Sequence, residues 1–238
     1  MLYAFLSREQ LLKFLPPGGC VAEIGVFRGD FSEAILAAAK PSRLHLIDPW
    51  SHQTGADYQL DDSNLSDAGH VENLRHVQQR FAEQIATGQV VLHRDRSENV
   101  AAEFTDASLD WIYVDGRHTF DAVFQDLELY RAKVKPGGFI LGHDFTNHPD
   151  CVARGYGVVP AVGRFRKARG FDLILLTAES CPSYVLAREP LGESATLLVE
   201  KIIYNVPQVM EIKGFAEERF AYRQVILSNG AERILPSF

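Results

Sequence analysis

The sequence predicts an α/β protein built on a doubly wound, mostly parallel seven-stranded sheet whose last strand runs antiparallel. Three observations carry that expectation. Short apolar runs alternate strictly with helical periodicities between residues 20 and 142, which is the order of repeated strand–helix–strand units. Two further runs, 171–176 and 183–187, are joined by a short turn at 179–182, a spacing that suits an antiparallel pair. No internal repeat, low-complexity segment or linker divides the chain.

The elements follow in order. Ser7 with Gln10 three residues on is a capping box that opens a short helix. Its apolar side is Leu11, Leu12, Phe14 and Leu15, and Pro16-Pro17-Gly18-Gly19 ends it. Residues 20–25 (CVAEIG) are the first buried-strand pattern. Asp30, with Glu33 behind it, caps the next helix, and Pro41 follows its end. Residues 44–47 (LHLI) form the second strand, stopped at Asp48. The polar stretch 50–69, carrying Asp57, Asp61, Asp62 and Asp67, is a loop of the length that lids take. Leu74, Val77, Phe81 and Ile85 make a helical stripe closed by Gly88. Residues 90–92 are the third strand, Ser97 caps a helix, and 109–114 (LDWIYV) are the fourth strand. Phe120, Val123, Phe124 and Leu127 mark a helix led by Thr119 that ends before Pro136-Gly137-Gly138. Residues 139–142 are the fifth strand, and Arg164, Arg166, Lys167 and Arg169 form the solvated face of a later helix.

Past residue 188 the alternation breaks, leaving one helix near 195–204 and an apolar tail. Residues 1–188 therefore form the main domain. Residues 189–238 are a C-terminal appendage, either a homo-oligomer contact or a cover over the substrate, because their apolar content would otherwise make an unusually large exposed patch.

Composition narrows the function. The 238 residues are 46% hydrophobic and 23% charged, the balance of a globular protein. Lys plus Arg is 24 against 31 for Asp plus Glu, so nucleic acid and anionic membrane are not expected partners. The cysteines Cys20, Cys151 and Cys181 are too few and too scattered for a disulfide framework or a zinc cage. The N-terminus has no signal-peptide pattern, and no run reaches membrane-span length. A cytoplasmic location is the expectation.

In an open parallel sheet, ligands bind beyond the carboxyl ends of the strands. After the first strand comes Glu23-Ile24-Gly25-Val26-Phe27-Arg28-Gly29, a G-x-x-x-G turn rather than the G-x-G-x-x-G of nicotinamide binders. Asp48 ends the second strand, where a carboxylate can take both hydroxyls of a ribose. Ser97 and Glu98 follow the third, where a hydroxyl and exposed amides can meet an adenine edge. The fourth ends in Asp115-Gly116-Arg117-His118 and the fifth in Gly142-His143-Asp144. Those two strand ends are adjacent in this topology, so two carboxylates and two imidazoles converge. Trp50 and Tyr58 are placed to cover a bound adenine or a cation, or else to pack. His45 and His93, within strands, read as structural.

Over roughly residues 21–188, the E-x-G-x-x-x-G loop, Asp48, the DGRH segment and KPGGFILGHD resemble class I S-adenosylmethionine-dependent methyltransferases. The nearest well-understood relatives are the metal-dependent O-methyltransferases of the catechol and macrocin types. The resemblance implies a Rossmann-like sheet, S-adenosylmethionine as cofactor and a small-molecule hydroxyl as acceptor. It assigns Glu23, Gly25, Phe27 and Gly29 to the methionine and ribose portion, Asp48 to the ribose, and Ser97 and Glu98 to the adenine. Asp115 falls on the first metal-ligand position and also borders the cofactor, with His143 and Asp144 completing the metal site. Imidazole at such a site suits Mn²⁺, Fe²⁺ or Zn²⁺ better than Mg²⁺, so His143 is either a ligand or a base. His118 stands where the catechol-type relatives carry their basic lysine. The positive end of the helix led by Thr119 favours its neutral, proton-accepting form. Two other readings stay open, a redox-metal oxygenase using the two histidines and a non-catalytic subunit that keeps the fold.

Overall fold

The computed structural model describes residues 1–55, 58, 61–226, 228–230 and 232–238, so the loop acid Asp57 lies outside the described residues. The chain opens with β1 (Leu2–Ala4), α1 (Arg8–Leu11), β2 (Cys20–Ile24), α2 (Asp30–Ala38) and β3 (Arg43–Ile47). Next come α3 (Asp67–Arg80), α4 (Ala82–Ala86), β4 (Val90–His93), α5 (Ser97–Val100), β5 (Leu109–Val114) and α6 (Phe120–Tyr130). β6 (Val134–Gly142), α7 (Pro149–Ala153), α8 (Val158–Arg169), β7 (Phe171–Thr177) and β8 (Tyr184–Arg188) follow. The chain closes with α9 (Glu193–Asn205), β9 (Val209–Glu211), β10 (Ala221–Ile226) and β11 (Glu232–Ser237).

Among the described residues, nine strands form one sheet in the order β4-β3-β2-β5-β6-β8-β7-β1-β9, and β10 pairs with β11 in a separate hairpin. The strands from β4 through β6 are parallel, while β8 runs antiparallel between β6 and β7. The seven expected strands are present, but the sheet is wider by two. β1 adds in parallel to β7, and β9 adds antiparallel to β1. Each is three residues long, too short for any periodicity to register.

Helices cover both faces. Leu11 and Leu12 at the end of α1, Phe31 and Ile35 of α2, Leu74 and Val77 of α3, and Leu198 and Ile202 of α9 fill one core. Val123 and Leu127 of α6 and Val162 and Phe165 of α8 fill the other. β2 pairs with β3 on one side and β5 on the other. The winding reverses there, and that reversal opens a crevice beyond Gly25 and Asp115.

Three local expectations are corrected. Gly29, not Asp30, caps α2 in a left-handed conformation (φ 78°), and Asp30 points outward to Arg80 Nη1 at 2.6 Å. Ser97 is the first residue of α5 rather than its cap, because its hydroxyl turns inward to Asp126. β6 begins at Val134 and runs through Pro136-Gly137-Gly138. The β5–β6 register shifts between Leu109 and Trp111, an irregularity of the kind that accommodates a proline and glycines within a strand.

The C-terminal segment contributes to the sheet and to both cores. α9 buries Ala195, Leu198 and Ile202, β9 widens the sheet, and buried Phe220 meets the Phe145 ring at 5.3 Å. The basic cluster on α8 is not simply solvated. Arg166 bonds the buried Glu217, Lys167 reaches Glu218 at 2.8 Å, and Arg169 reaches Glu128 at 2.7 Å. Leu198, Ile202 and Phe220 of the apolar tail are buried, while Leu197, Ile203, Tyr204, Val225 and Ile226 stay exposed. Among the described residues, no helix is long and apolar enough to cross a membrane.

Candidate active site

A cavity of about 390 Å³ occupies the crevice. Of the residues singled out in the sequence, Glu23, Gly25, Phe27, Asp48, Ser97, Glu98, Asp115 and His118 line it. Gly29 lies behind the loop, and His143 and Asp144 stand beyond Asp115, outside the lining.

The glycine turn is fixed by its surroundings. Gly25 has φ 87°, and a Cβ there would come within 2.1 Å of the Asp115 carbonyl oxygen, so only glycine fits. Asp48 Oδ2 accepts the amides of Val26 (3.0 Å) and Phe27 (2.9 Å), and Oδ1 accepts that of Trp50 (2.7 Å). A carboxylate has about four acceptor positions, so one remains on Oδ1 for a ligand hydroxyl rather than the two a diol would use. Trp50 is fully buried and donates its indole N–H to the Phe27 carbonyl at 3.0 Å. It clamps the loop and does not cover a ligand. Tyr58 does border the cavity, with the Arg117 guanidinium 4.3 Å from its ring centre.

Two carboxyls line the cavity from buried positions. Glu23 accepts the Ser32 hydroxyl at 2.5 Å. Burial pushes its pKa up to about 8; Ser32 and Arg8 oppose the rise, and Asp115 and Asp48 add to it. Asp126 accepts the Ser97 hydroxyl at 2.5 Å, and burial pushes its pKa up to about 7. The Ser97 hydroxyl is therefore spent on Asp126. Glu98 faces Arg96 at 3.4 Å.

At the ends of β5 and β6, four ionisable groups meet. His118, just before the Thr119 cap of α6, places Nδ1 3.2 Å from Asp144 Oδ2, and its ring leans on Tyr156 at 4.7 Å. His143 Nδ1 lies 3.4 Å from Asp144 Oδ2 and 3.6 Å from Asp115 Oδ1. Burial alone would lower the His143 pKa, but the two carboxylates outweigh it and push it up to about 9. The two carboxylates therefore favour the protonated, donating form of its ring. Burial would raise Asp144, yet the two histidines hold it at about 2. Asp144 adopts φ 53°, an uncommon conformation for a non-glycine residue and one often held at functional sites. Donor atoms of Asp115, His118 and Asp144 lie within 4.8 Å of one another. His118 thus joins Asp115 and Asp144 in that group, and His143 stands beside the same two carboxylates. His45 and His93 bond each other at 2.9 Å, away from this cluster.

Asp126 and Arg8 are lining residues that the sequence reading missed. Asp126 sits on the buried stripe of α6 with Val123, Leu127 and Tyr130, so an acid at a core position was the available signal. Arg8 reaches Asp115 Oδ2 with Nη1 at 2.7 Å and lies 4.5 Å over the Phe31 ring. That contact spans 107 residues of sequence, and no local pattern announces it.

A protein family described as a methyltransferase domain matches residues 22–145. No curated protein matches the sequence. Among solved structures, the fold is similar to spermidine synthase from Thermotoga maritima (TM-score 0.54, 13% identity, 90% of this chain and 67% of that one). It is similar to the N-methyltransferase NodS from Bradyrhizobium japonicum (TM-score 0.52, 12% identity, 75% and 92%). It also resembles an O-methyltransferase family protein from Burkholderia thailandensis (TM-score 0.53, 12% identity, 76% and 55%), just over half of whose length the alignment spans. At these identities the likeness is one of fold.

Proposed function

Because the chain belongs to the methyltransferase domain family, its activity class is methyl transfer from S-adenosylmethionine, and we propose that the acceptor is a hydroxyl group of a small molecule. The observation that carries this reading is that the Asp48-clamped glycine loop and His118 border the same cavity. Its volume of about 390 Å³ lies in the range of small-molecule and cofactor sites. Gly25 lets the backbone approach the ligand, and the open position on Asp48 takes one ribose hydroxyl.

When bound, the cofactor would supply an electrophilic methyl group on sulfur to the acceptor oxygen, its own sulfur being released as a neutral thioether. The hydroxyl proton passes to Nε2 of His118, while Asp144, 3.2 Å from Nδ1, orients the ring and stabilises the imidazolium that forms. Holding the two reactants in line is the larger contribution, of about 7–11 kcal/mol.

One further arrangement has a specific observation behind it. The grouping of Asp115, His118 and Asp144 within 4.8 Å is a mixed nitrogen and oxygen set, which fits Mn²⁺, Fe²⁺ or Zn²⁺ better than Mg²⁺. These three residues would hold the ion, and it would supply acidification and orientation of the acceptor hydroxyl. His118 would then be a ligand and not the base.

Incubation with methyl-labelled S-adenosylmethionine and a panel of sugar, phenol, polyketide and amino acid hydroxyls, with and without EDTA, tests both. Label on oxygen supports the proposal, and label only on nitrogen or carbon overturns it. Activity lost in EDTA and restored by Mn²⁺ supports the metal arrangement, in which His118 is a ligand.

A further inference from the structure

We propose that Arg8 anchors the α-carboxylate of the cofactor's methionine tail, so that the N-terminal helix selects a cofactor carrying that carboxylate. The inference rests on the S-adenosylmethionine reading of the cavity. It adds a residue that lies outside the matched span 22–145.

Four arginines line the cavity, namely Arg8, Arg28, Arg96 and Arg117. Arg96 is paired with Glu98, and Arg117 lies over Tyr58. Arg96 follows β4, and Arg117 is taken up by the Tyr58 ring. Arg28 is exposed. Arg8 is different, because its side chain is only 25% exposed and stands over Phe31, in the first turn of α2, against Asp115. With the ribose on Asp48 and the reacting sulfur toward His118, the amino-acid tail is left the region of Glu23, Phe31 and Arg8. That region has carboxyl oxygens of Glu23 and Asp115 to accept from the tail's ammonium group, and one cation for its carboxylate.

The guanidinium has the capacity for this role. Of its five N–H donors, Asp115 takes one at 2.7 Å and Glu9 another at 3.4 Å, and the Tyr113 hydroxyl accepts a third. Two donors remain for a ligand carboxylate without releasing Asp115. The support beneath Arg8 is rigid. Ser7 and Gln10 close a capping box around α1, and Leu11 and Leu12 are buried in the core. Planar, forked and always charged, arginine suits carboxylate recognition better than lysine.

The test is calorimetric titration with two ligands, S-adenosylhomocysteine and its decarboxylated analogue, into wild type, Arg8→Ala and Arg8→Lys. The wild type should prefer the carboxylate-bearing ligand by about 10- to 100-fold, the range of hydrogen bonds to charged groups. Arg8→Ala should bind the two ligands about equally, with its affinity for the decarboxylated analogue retained, and Arg8→Lys should recover part of the preference. Retained affinity for the analogue also shows that the variant's cavity is intact. A preference that survives in Arg8→Ala, or equal loss of both ligands, overturns the anchor and leaves Arg8 a support for Asp115. Wild-type protein that binds S-adenosylhomocysteine without discriminating overturns the anchor alone. Wild-type protein that binds neither ligand overturns the cofactor reading and the anchor together.

Discussion

Phe27 donates its amide to Asp48 Oδ2 at 2.9 Å while its carbonyl accepts the indole N–H of Trp50 at 3.0 Å. The glycine loop after β2 is thus held by an acid and an aromatic that follow β3. Phe27 sits at φ 51° and Trp50 at φ 40°, two uncommon conformations that persist because neighbouring bonds fix them. Asp48 shapes the site before any ligand arrives.

Replacing Asp48 should therefore weaken the protein as well as the site. Asp48→Ala leaves three backbone amides without their acceptor, at a cost of about 1–3 kcal/mol in cofactor-free stability. Chemical unfolding of the ligand-free variant checks this. Unchanged stability would mean that the clamp contributes nothing.

His118→Ala should lower kcat by about 10²- to 10⁴-fold, the usual share of a positioned base, while affinity for S-adenosylhomocysteine holds. Steady-state kinetics and calorimetry separate the two effects. If His143→Ala abolishes turnover and His118→Ala does not, the assignment is reversed.

Glu23 should make stability fall as pH rises. Its carboxyl releases a proton near pH 4.3 when unfolded, roughly the reference value, but keeps it to about pH 8 in the fold. Between those values the native state binds more protons, so stability declines toward alkaline pH. Asp126, raised to about 7, acts with the same sign up to that pH. Glu23→Gln should thus gain on wild type progressively from pH 5 to pH 8 in urea titrations. A constant difference across that range contradicts the buried, protonated carboxyl.

Arg166 should matter to the C-terminal segment far more than a surface arginine would. Glu217 is 4% exposed at its side chain and bonds Arg166, with Lys167 3.2 Å from its other oxygen. Arg166→Ala leaves that carboxylate short of a partner, at a cost of up to about 3 kcal/mol because Lys167 remains. Thermal unfolding of the variant measures it, and a change within experimental error would show the contact to be dispensable.

The central sheet was legible because β2 through β6 combine apolar runs with helical stripes between them, and their ends carry glycines or acids. The placing of Asp48, Asp115 and His118 at one crevice was legible in the same way, since the topology alone brings strand ends together. β1 and β9 were not legible, being edge strands of three residues whose pairing is set by tertiary contact. Trp50 misled because an aromatic after a strand end looks the same in sequence whether it covers a ligand or clamps a loop. Spacing places both imidazoles at the crevice, and side-chain direction, for which the sequence has no signal, sets how each meets Asp115 and Asp144. Arg8 and the Arg166–Glu217 pair are long-range contacts for which periodicity has no signal.

Calorimetric titration of S-adenosylhomocysteine into the wild-type chain and Asp48→Ala, alongside wild type with EDTA present, tests the central claim most directly. The account predicts a single saturable site per chain that persists in EDTA and that Asp48→Ala weakens by about 1–3 kcal/mol. No binding to the wild type, or equal binding to the variant, would contradict it.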